Sequence, residues 1–187
     1  MRRRGFGLIS VWFIPGVLLA VGGCRKPIPV VPLRAVAEIN WEDNLLLGEG
    51  VELVASSHNL ENERVENLLD NDLRTFWQIE ESKSGLMAWV EADFGEDSSV
   101  SVSALAARPR VGHTNQFFRN VQVQASDDGE KWKTIAWVRQ DVPPDESVWY
   151  RGDFANREAF RFWRLLIPDG HLGPRKRFLS IADLALF

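Results

Sequence analysis

The chain has 187 residues, of which 45% are hydrophobic, so it is long and apolar enough for one domain with a sizeable core. Its 22 basic residues include Arg2, Arg3 and Arg4, and the rest of the chain carries 19 basic against 26 acidic side chains, a net charge of −7. Because a nucleic-acid partner requires a basic face, this acidic balance argues against nucleic acid.

Residues 1–23 have the pattern of a bacterial lipoprotein signal peptide. Three arginines precede a stretch from Gly5 to Cys24 that contains no charged residue and is rich in apolar side chains. Two glycines stand directly before Cys24, the single cysteine of the chain, and this arrangement resembles the lipobox. We therefore expect cleavage before Cys24, lipid on that cysteine and a protein anchored in the cell envelope. In a Gram-negative source, Arg25 in place of Asp favours the outer membrane.

Two other interpretations of this segment stay open. The first is an uncleaved transmembrane anchor, because the apolar stretch is near the ~17–20 residues that a spanning helix needs. Pro15 and Gly16 weaken the stretch as a spanning helix. The second is an ordinary secretory signal in which Cys24 is incidental.

Residues 24–50 are expected to form a tether and a lead-in to the domain. Pro27, Pro29 and Pro32 stand within six residues, which disfavours regular hydrogen bonding and favours an extended chain. Residues 33–41 predict a short helix, and two glycines close the segment before residue 51.

From residue 51 to residue 187, short apolar segments that alternate with polar residues predict an all-β sandwich or barrel. Residues 65–69 predict one helical turn, and Asp127-Asp128-Gly129 predicts a hairpin turn. The pattern predicts about eight strands, over residues 51–55, 87–94, 100–107, 121–125, 132–138, 149–154, 160–167 and 180–187.

A series of motifs in this region resembles the discoidin family, also called the factor V/VIII (F5/8) type C family. The motifs are Ala55-Ser56-Ser57, Leu69-Asp70-Asn71-Asp72 with Thr75-Phe76-Trp77, the segment 89–95, Arg108-Pro109-Arg110, Ser126-Asp127-Asp128-Gly129 with Trp132, the segment 161–165, and the segment 180–184. The resemblance implies a galactose-binding-like jelly-roll sandwich, similar to family 32 carbohydrate-binding modules, which binds a ligand without cutting it. The chain departs from the family pattern at Asn71, usually Gly, and at Asp183, usually Glu.

The resemblance also implies a structural calcium site. In the family an acidic turn and an acid on the last strand supply the oxygens, and here Asp70, Asp72, Thr75 and Asp183 hold those places. Calcium prefers six to eight oxygen ligands, and Asp is one methylene shorter than Glu. The alternative is a metal-free turn in which Asp70 accepts hydrogen bonds from backbone N–H groups and Thr75 supports it.

The segment after Arg108 is the candidate ligand site, because galactose-type relatives place an Arg and an Asn in this loop. Arg110 and Asn115 match that arrangement, and His113 lies between them. An arginine offers a fork of donors to neighbouring sugar hydroxyls, and an asparagine offers a donor and an acceptor. The aromatic or pocket-lining candidates are Phe117, Phe118, His171 and Phe178. The alternative is that Arg110 and Asn115 are ordinary surface and turn residues.

No catalytic residues are assigned. The three histidines are isolated in sequence, no nucleophile stands in a G-x-S-x-G elbow, and no His or Cys pair has zinc-ligand spacing. The sequence therefore predicts a non-catalytic envelope lipoprotein whose module binds a glycan or polysaccharide, with a membrane contact through the lipid on Cys24. The alternatives are a structural or protein-interaction lipoprotein in an envelope assembly and an accessory subunit of a separate hydrolase.

Overall fold

The computed structural model describes residues 27–58, 60–80, 87–141, 143–146, 148–168 and 178–187. The predicted signal peptide with Cys24 lies outside the described residues, and so does His171. The remaining predicted site residues are all described.

The described part of the chain consists of strands and short 3₁₀ helices. The strands are β1 (Val30–Pro32), β2 (Arg34–Val36), β3 (Glu52–Ala55), β4 (Trp77–Glu80), β5 (Ala88–Asp93), β6 (Ala104–Arg108), β7 (Asn120–Ser126), β8 (Lys133–Arg139), β9 (Trp149–Asp153), β10 (Phe162–Ile167), β11 (Phe178–Ile181) and β12 (Asp183–Leu186). The 3₁₀ helices are Trp41–Asp43, Leu45–Leu47, Val65–Leu69 and Thr114–Gln116. Among these helices, none has the length or the hydropathy of a membrane span.

The strands form two facing layers, which confirms the predicted all-β sandwich. A six-stranded sheet has the order β1-β8-β7-β10-β5-β3, a four-stranded sheet has the order β12-β6-β9-β2, and β11 pairs with β4. In β5 and β10, buried and half-buried residues alternate strictly, as expected for strands with one face on the core. Apolar residues of both large sheets meet in one buried cluster, which includes Val123, Trp163, Leu105 and Leu184.

The segment before residue 51 differs from its prediction. The expected helix over residues 33–41 is absent from these described residues, where β2 pairs antiparallel with β9 and only Trp41–Asp43 is helical. The proline-rich segment also contributes a strand, because β1 pairs with β8 at the edge of the six-stranded sheet. Trp41 packs against Trp149 on the outer side of the four-stranded sheet, at 5.6 Å between ring centroids. Sheet pairing and this apolar contact therefore outweigh a weak local helix preference.

The lead-in segment packed on the outer side of the four-stranded sheet explains why burial does not alternate along β6. The sequence predicts a half-buried strand over residues 100–107, whereas the strand is Ala104–Arg108 and its first four residues are all buried. Ala106 faces the cluster formed by Trp149 and the lead-in segment, and its neighbours face the main core. A strand covered on both faces loses the two-residue polarity pattern.

Asn44 joins the lead-in to the last strand. It is 3% exposed, its side chain donates to Leu184 O at 3.1 Å, and its Oδ1 accepts from Leu186 N at 3.0 Å. The same oxygen accepts from Leu46 N, which caps the helix Leu45–Leu47. One buried amide therefore satisfies backbone groups that are 140 residues apart in sequence.

Candidate functional site

The loop between β6 and β7, residues 109–119, carries the predicted ligand residues and is here called the Arg110 loop. Its first part is a tight turn in which His113 N donates to Arg110 O at 3.1 Å, and Gly112 has a φ of 73°. A glycine suits this left-handed conformation because it has no Cβ. The helix Thr114–Gln116 follows directly, and both His113 and Asn115 are exposed. The loop therefore presents its polar side chains to solvent.

Arg110 is held in a defined orientation. Its Nη1 donates to Gln78 Oε1 at 2.6 Å, and its guanidinium carbon lies 3.6 Å from the centroid of the Phe76 ring. Burial lowers the pKa of the Arg110 guanidinium, although Glu63 opposes this effect, and an arginine stays charged at neutral pH in either case. Within the described residues, Nε and Nη2 of Arg110 have no hydrogen-bond acceptor.

Buried polar side chains beneath Arg110 fix its position. Gln78 and Glu63 are each 5% exposed, and Gln78 Nε2 donates to both carboxylate oxygens of Glu63 at 3.2 Å. Ser180 lies opposite Gln78 in the β4–β11 pair, and its hydroxyl donates to Gln116 Oε1 at 2.9 Å. These contacts join β4, β11 and the Arg110 loop into one rigid support. Sequence reasoning missed this support, and its only local signal was a polar Gln78 between Trp77 and Ile79.

The aromatic side chains of the site differ from the sequence prediction. Phe117 is 3% exposed and stacks on Phe118 at 4.2 Å, so neither ring presents a face to a ligand. Apolar contacts hold the Phe117 ring in the core, so it does not form an exposed aromatic platform, and its role as a pocket-lining residue stays a prediction. Phe76, whose ring lies under Arg110, and Phe178 on β11 are half-buried.

The acidic turn Asp70–Thr75 lies at the end of the helix Val65–Leu69. Asp70 Oδ1 accepts from Asp72 N at 2.9 Å, and its Oδ2 accepts from the Thr75 hydroxyl at 2.7 Å. Asp72 is bound by Arg74 through the backbone N–H and the guanidinium, and these hydrogen bonds lower the pKa of the Asp72 carboxyl to about 2. The turn thus has the internal hydrogen bonds of the metal-free alternative.

Asp183 is paired with an arginine from the neighbouring strand. Its carboxylate is fully buried, and Oδ2 accepts from Nε and Nη2 of Arg108 at 2.8 and 2.6 Å. Nη2 of Arg108 also donates to Asn71 Oδ1 at 2.7 Å, which ties the acidic turn to the four-stranded sheet. Burial raises the pKa of the Asp183 carboxyl to about 6, and the Arg108 guanidinium and the Asn71 N–H oppose this shift.

These donors do not fit a calcium ion in this arrangement. The side-chain oxygens of Asp70, Asn71, Asp72 and Thr75 all take part in hydrogen bonds within the turn or with Arg108, and Asp183 Oδ2 is bound by Arg108 as well. Only Asp183 Oδ1 in this set is buried without a hydrogen bond to a described residue, so a calcium ion, which prefers six to eight oxygens, would have to displace Arg108. Among the described residues, no three His, Cys, Asp or Glu side chains converge as a metal site. Two unit charges 4 Å apart interact by about 4 kcal/mol at an effective dielectric constant near 20. A divalent ion at that distance from the Arg108 guanidinium would be repelled about twice as strongly as a monovalent ion.

A second cleft lies elsewhere on the molecule. It measures about 560 Å³ and lies between the helices Trp41–Asp43 and Leu45–Leu47 and the segment 94–100. Its described lining includes the acids Glu42, Asp43 and Glu49, and its one ring, Phe94, is 6% exposed. The cleft shares no residue with the Arg110 loop, which remains the candidate site.

Comparisons with known proteins agree with this architecture. The sequence profile of the F5/8 type C domain matches residues 52–175, whereas no curated protein matches the chain significantly. Several solved structures are similar to this chain. One is CpGH89CBM32-5 from Clostridium perfringens in complex with GalNAc-β-1,3-galactose. Its sequence is 20% identical, the alignment covers 73% of this chain and 94% of that chain, and the TM-score is 0.58.

Two further structures show the same fold at similar distance. The family 32 module of C. perfringens NanJ, in complex with galactose, has 18% identity, covers 73% of this chain and 92% of its own, and gives a TM-score of 0.55. The family 32 module of AlyQ, in complex with 4,5-unsaturated mannuronic acid, has 19% identity and gives a TM-score of 0.54. The alignment covers 73% of this chain and 93% of that module. At these identities the likeness shows the fold alone.

Proposed function

Because the chain belongs to the F5/8 type C domain family, we propose that it is a non-catalytic cell-envelope lipoprotein whose domain binds carbohydrate through the Arg110 loop. The observation that carries this proposal is the pre-organised Arg110 guanidinium. Gln78 and Phe76 hold it, its Nε and Nη2 have no acceptor among the described residues, and the exposed His113 and Asn115 follow on the same loop. A site whose donors are already fixed loses little conformational entropy when it binds.

The chemistry of the loop suits a glycan. The guanidinium fork can donate to two neighbouring hydroxyls or to the carboxylate of a uronic acid, and Asn115 can both donate and accept. The half-buried Phe178 offers flat apolar surface for the C–H face of a sugar ring, whereas the Phe76 ring serves to hold Arg110. The three similar modules are in complex with galactose, a galactose-containing disaccharide and a uronic acid, which supports both neutral and acidic glycans as candidates.

We predict that Arg110→Ala weakens glycan binding about tenfold to hundredfold, because hydrogen bonds to a charged group contribute about 1.5–3 kcal/mol. The measurement is isothermal titration calorimetry of the full chain in detergent with galactose, N-acetylgalactosamine and uronic-acid oligosaccharides that a glycan array has selected.

Arg119→Ala is the matched control, because Arg119 is an exposed arginine at the other end of the same loop. It should bind as the wild type does. Equal affinity of Arg110→Ala and the wild type would remove Arg110 from the site. Failure of the wild type to bind any glycan would favour the protein-interaction alternative, for which a fixed co-purifying envelope partner is the expected finding.

The envelope location rests on the sequence of residues 1–24. We expect the mature protein to begin at Cys24 and to carry lipid on that residue, so that detergent is needed to extract it from membranes. Intact-mass spectrometry of the extracted protein should give the mass of residues 24–187 plus the attached acyl groups. Cys24→Ser should keep the unprocessed mass. An unmodified Cys24 in the membrane-extracted wild type would contradict the lipoprotein assignment.

A further inference from the structure

We propose that Arg108 is a built-in cation that takes the place of a structural metal ion, so that this domain is held together at its acidic turn without calcium. The residues concerned are Arg108 at the end of β6, Asp183 at the start of β12, and Asn71 in the acidic turn. This inference does not depend on what the Arg110 loop binds.

The position of Arg108 follows from strand register. Arg108 and Asp183 are direct partners in the antiparallel pair of β6 and β12, so their side chains emerge side by side. The Arg108 side chain is 12% exposed and lies over the Trp149 ring at 4.6 Å, which leaves its guanidinium little freedom to move away. A buried carboxylate requires a partner, and here that partner is a monovalent side chain.

The guanidinium connects the same elements that a bound ion would connect. It donates twice to Asp183 on the last strand and once to Asn71 in the turn, over sequence separations of 75 and 37 residues. A guanidinium is suited to this because its fixed fork presents several donors in one plane.

The two departures from the family pattern agree with this assignment. Asn71 has a φ of 54°, a left-handed conformation that Asn tolerates better than most residues, and its side chain supplies the oxygen that Arg108 binds. A glycine at this position would lack that oxygen. Asp183 is one methylene shorter than glutamate, and its carboxylate accepts both Arg108 hydrogen bonds at the sheet edge. The departure at residue 71 therefore adds an acceptor for the guanidinium, and Asp183 supplies the carboxylate.

The test compares calcium and terbium responses of the wild type and Arg108→Ala, using the full chain in detergent. We expect the melting temperature of the wild type to be the same in EDTA and in millimolar calcium, because an ion that does not bind the native state cannot stabilise it. We expect no terbium luminescence from the wild type. Arg108→Ala should show terbium luminescence sensitised by Trp149, whose ring lies beside the vacated position.

Arg74→Ala is the matched control, because Arg74 belongs to the same turn but pairs with the outer Asp72. Because the Arg74→Ala variant keeps Arg108, it should show no terbium luminescence. Stoichiometric calcium binding to the wild type, or a calcium-dependent rise in its melting temperature, would overturn the proposal, and this measurement decides even if Arg108→Ala does not fold. Terbium silence of a folded Arg108→Ala would also overturn it, because the position would then not be a cation site.

Discussion

Arg108→Ala is expected to lower the free energy of unfolding by about 3–5 kcal/mol above neutral pH, because it leaves the carboxylate of Asp183 buried without its charged partner. Asp183 is fully buried, and the substitution removes two hydrogen bonds to its Oδ2 and one to Asn71. Urea unfolding followed by tryptophan fluorescence measures the change.

The loss should depend on pH in a defined direction. In the wild type, burial raises the pKa of Asp183 from its usual 3.8 to about 6, so the native state binds this proton more tightly than the unfolded chain. Stability from this group is therefore present at low pH and decreases as the pH rises from about 4 to about 6. Without Arg108, which lowers the pKa, the native pKa of Asp183 rises further. The difference between wild type and Arg108→Ala should accordingly be larger at about pH 8 than at about pH 5.

Two variants separate the charge effect from simple loss of packing. Arg108→Ala combined with Asp183→Asn should recover part of the stability, because no unpaired charge remains buried. Arg74→Ala should change the free energy of unfolding little, since its side chain is 88% exposed and pairs with the outer Asp72. A loss for Arg108→Ala that is equal at both pH values would contradict a charged pair between Arg108 and Asp183.

Trp77→Ala is expected to cost about 3–5 kcal/mol, the range for removing a large aromatic side chain from a core. Trp77 is fully buried on β4, and its indole N–H donates to Ser57 O at 2.9 Å. The ring fixes β4, whose next residue, Gln78, positions Arg110. Urea unfolding measures the loss, and glycan affinity of the surviving folded fraction reports whether the support of Arg110 is disturbed.

The controls for Trp77 distinguish burial from residue type. Trp137→Ala should cost less, because Trp137 is a half-buried tryptophan on β8 and leaves a smaller cavity. Trp77→Phe should also cost less than Trp77→Ala, because it keeps most of the ring volume, although it loses the hydrogen bond to Ser57. Similar losses for Trp77→Ala and Trp137→Ala would contradict a larger contribution from the fully buried ring.

Local sequence was enough to predict the features that depend on neighbouring residues. Alternation in residues 88–93 predicts a strand with one buried face, and residues 65–69 form the predicted helical turn. The hairpin after β7 is equally local: Asp128 Oδ1 accepts from the N–H groups of Glu130 and Lys131, and Gly129 has a φ of 72°. The family motifs likewise located the acidic turn and the Arg110 loop, because each is a short segment of the chain.

The contacts of those segments could not be predicted in the same way, because the partners are far apart in sequence and meet only in the folded chain. Arg108 was visible as part of a motif, but its pairing with Asp183, 75 residues away, follows from the register of β6 and β12. Gln78 meets Arg110 only when β4 packs beside the loop, and Phe117 turns inward because the core offers it apolar neighbours. Local patterns indicate whether a residue faces solvent or core. Which charged residue becomes its partner depends on how segments tens of residues apart come together in the fold.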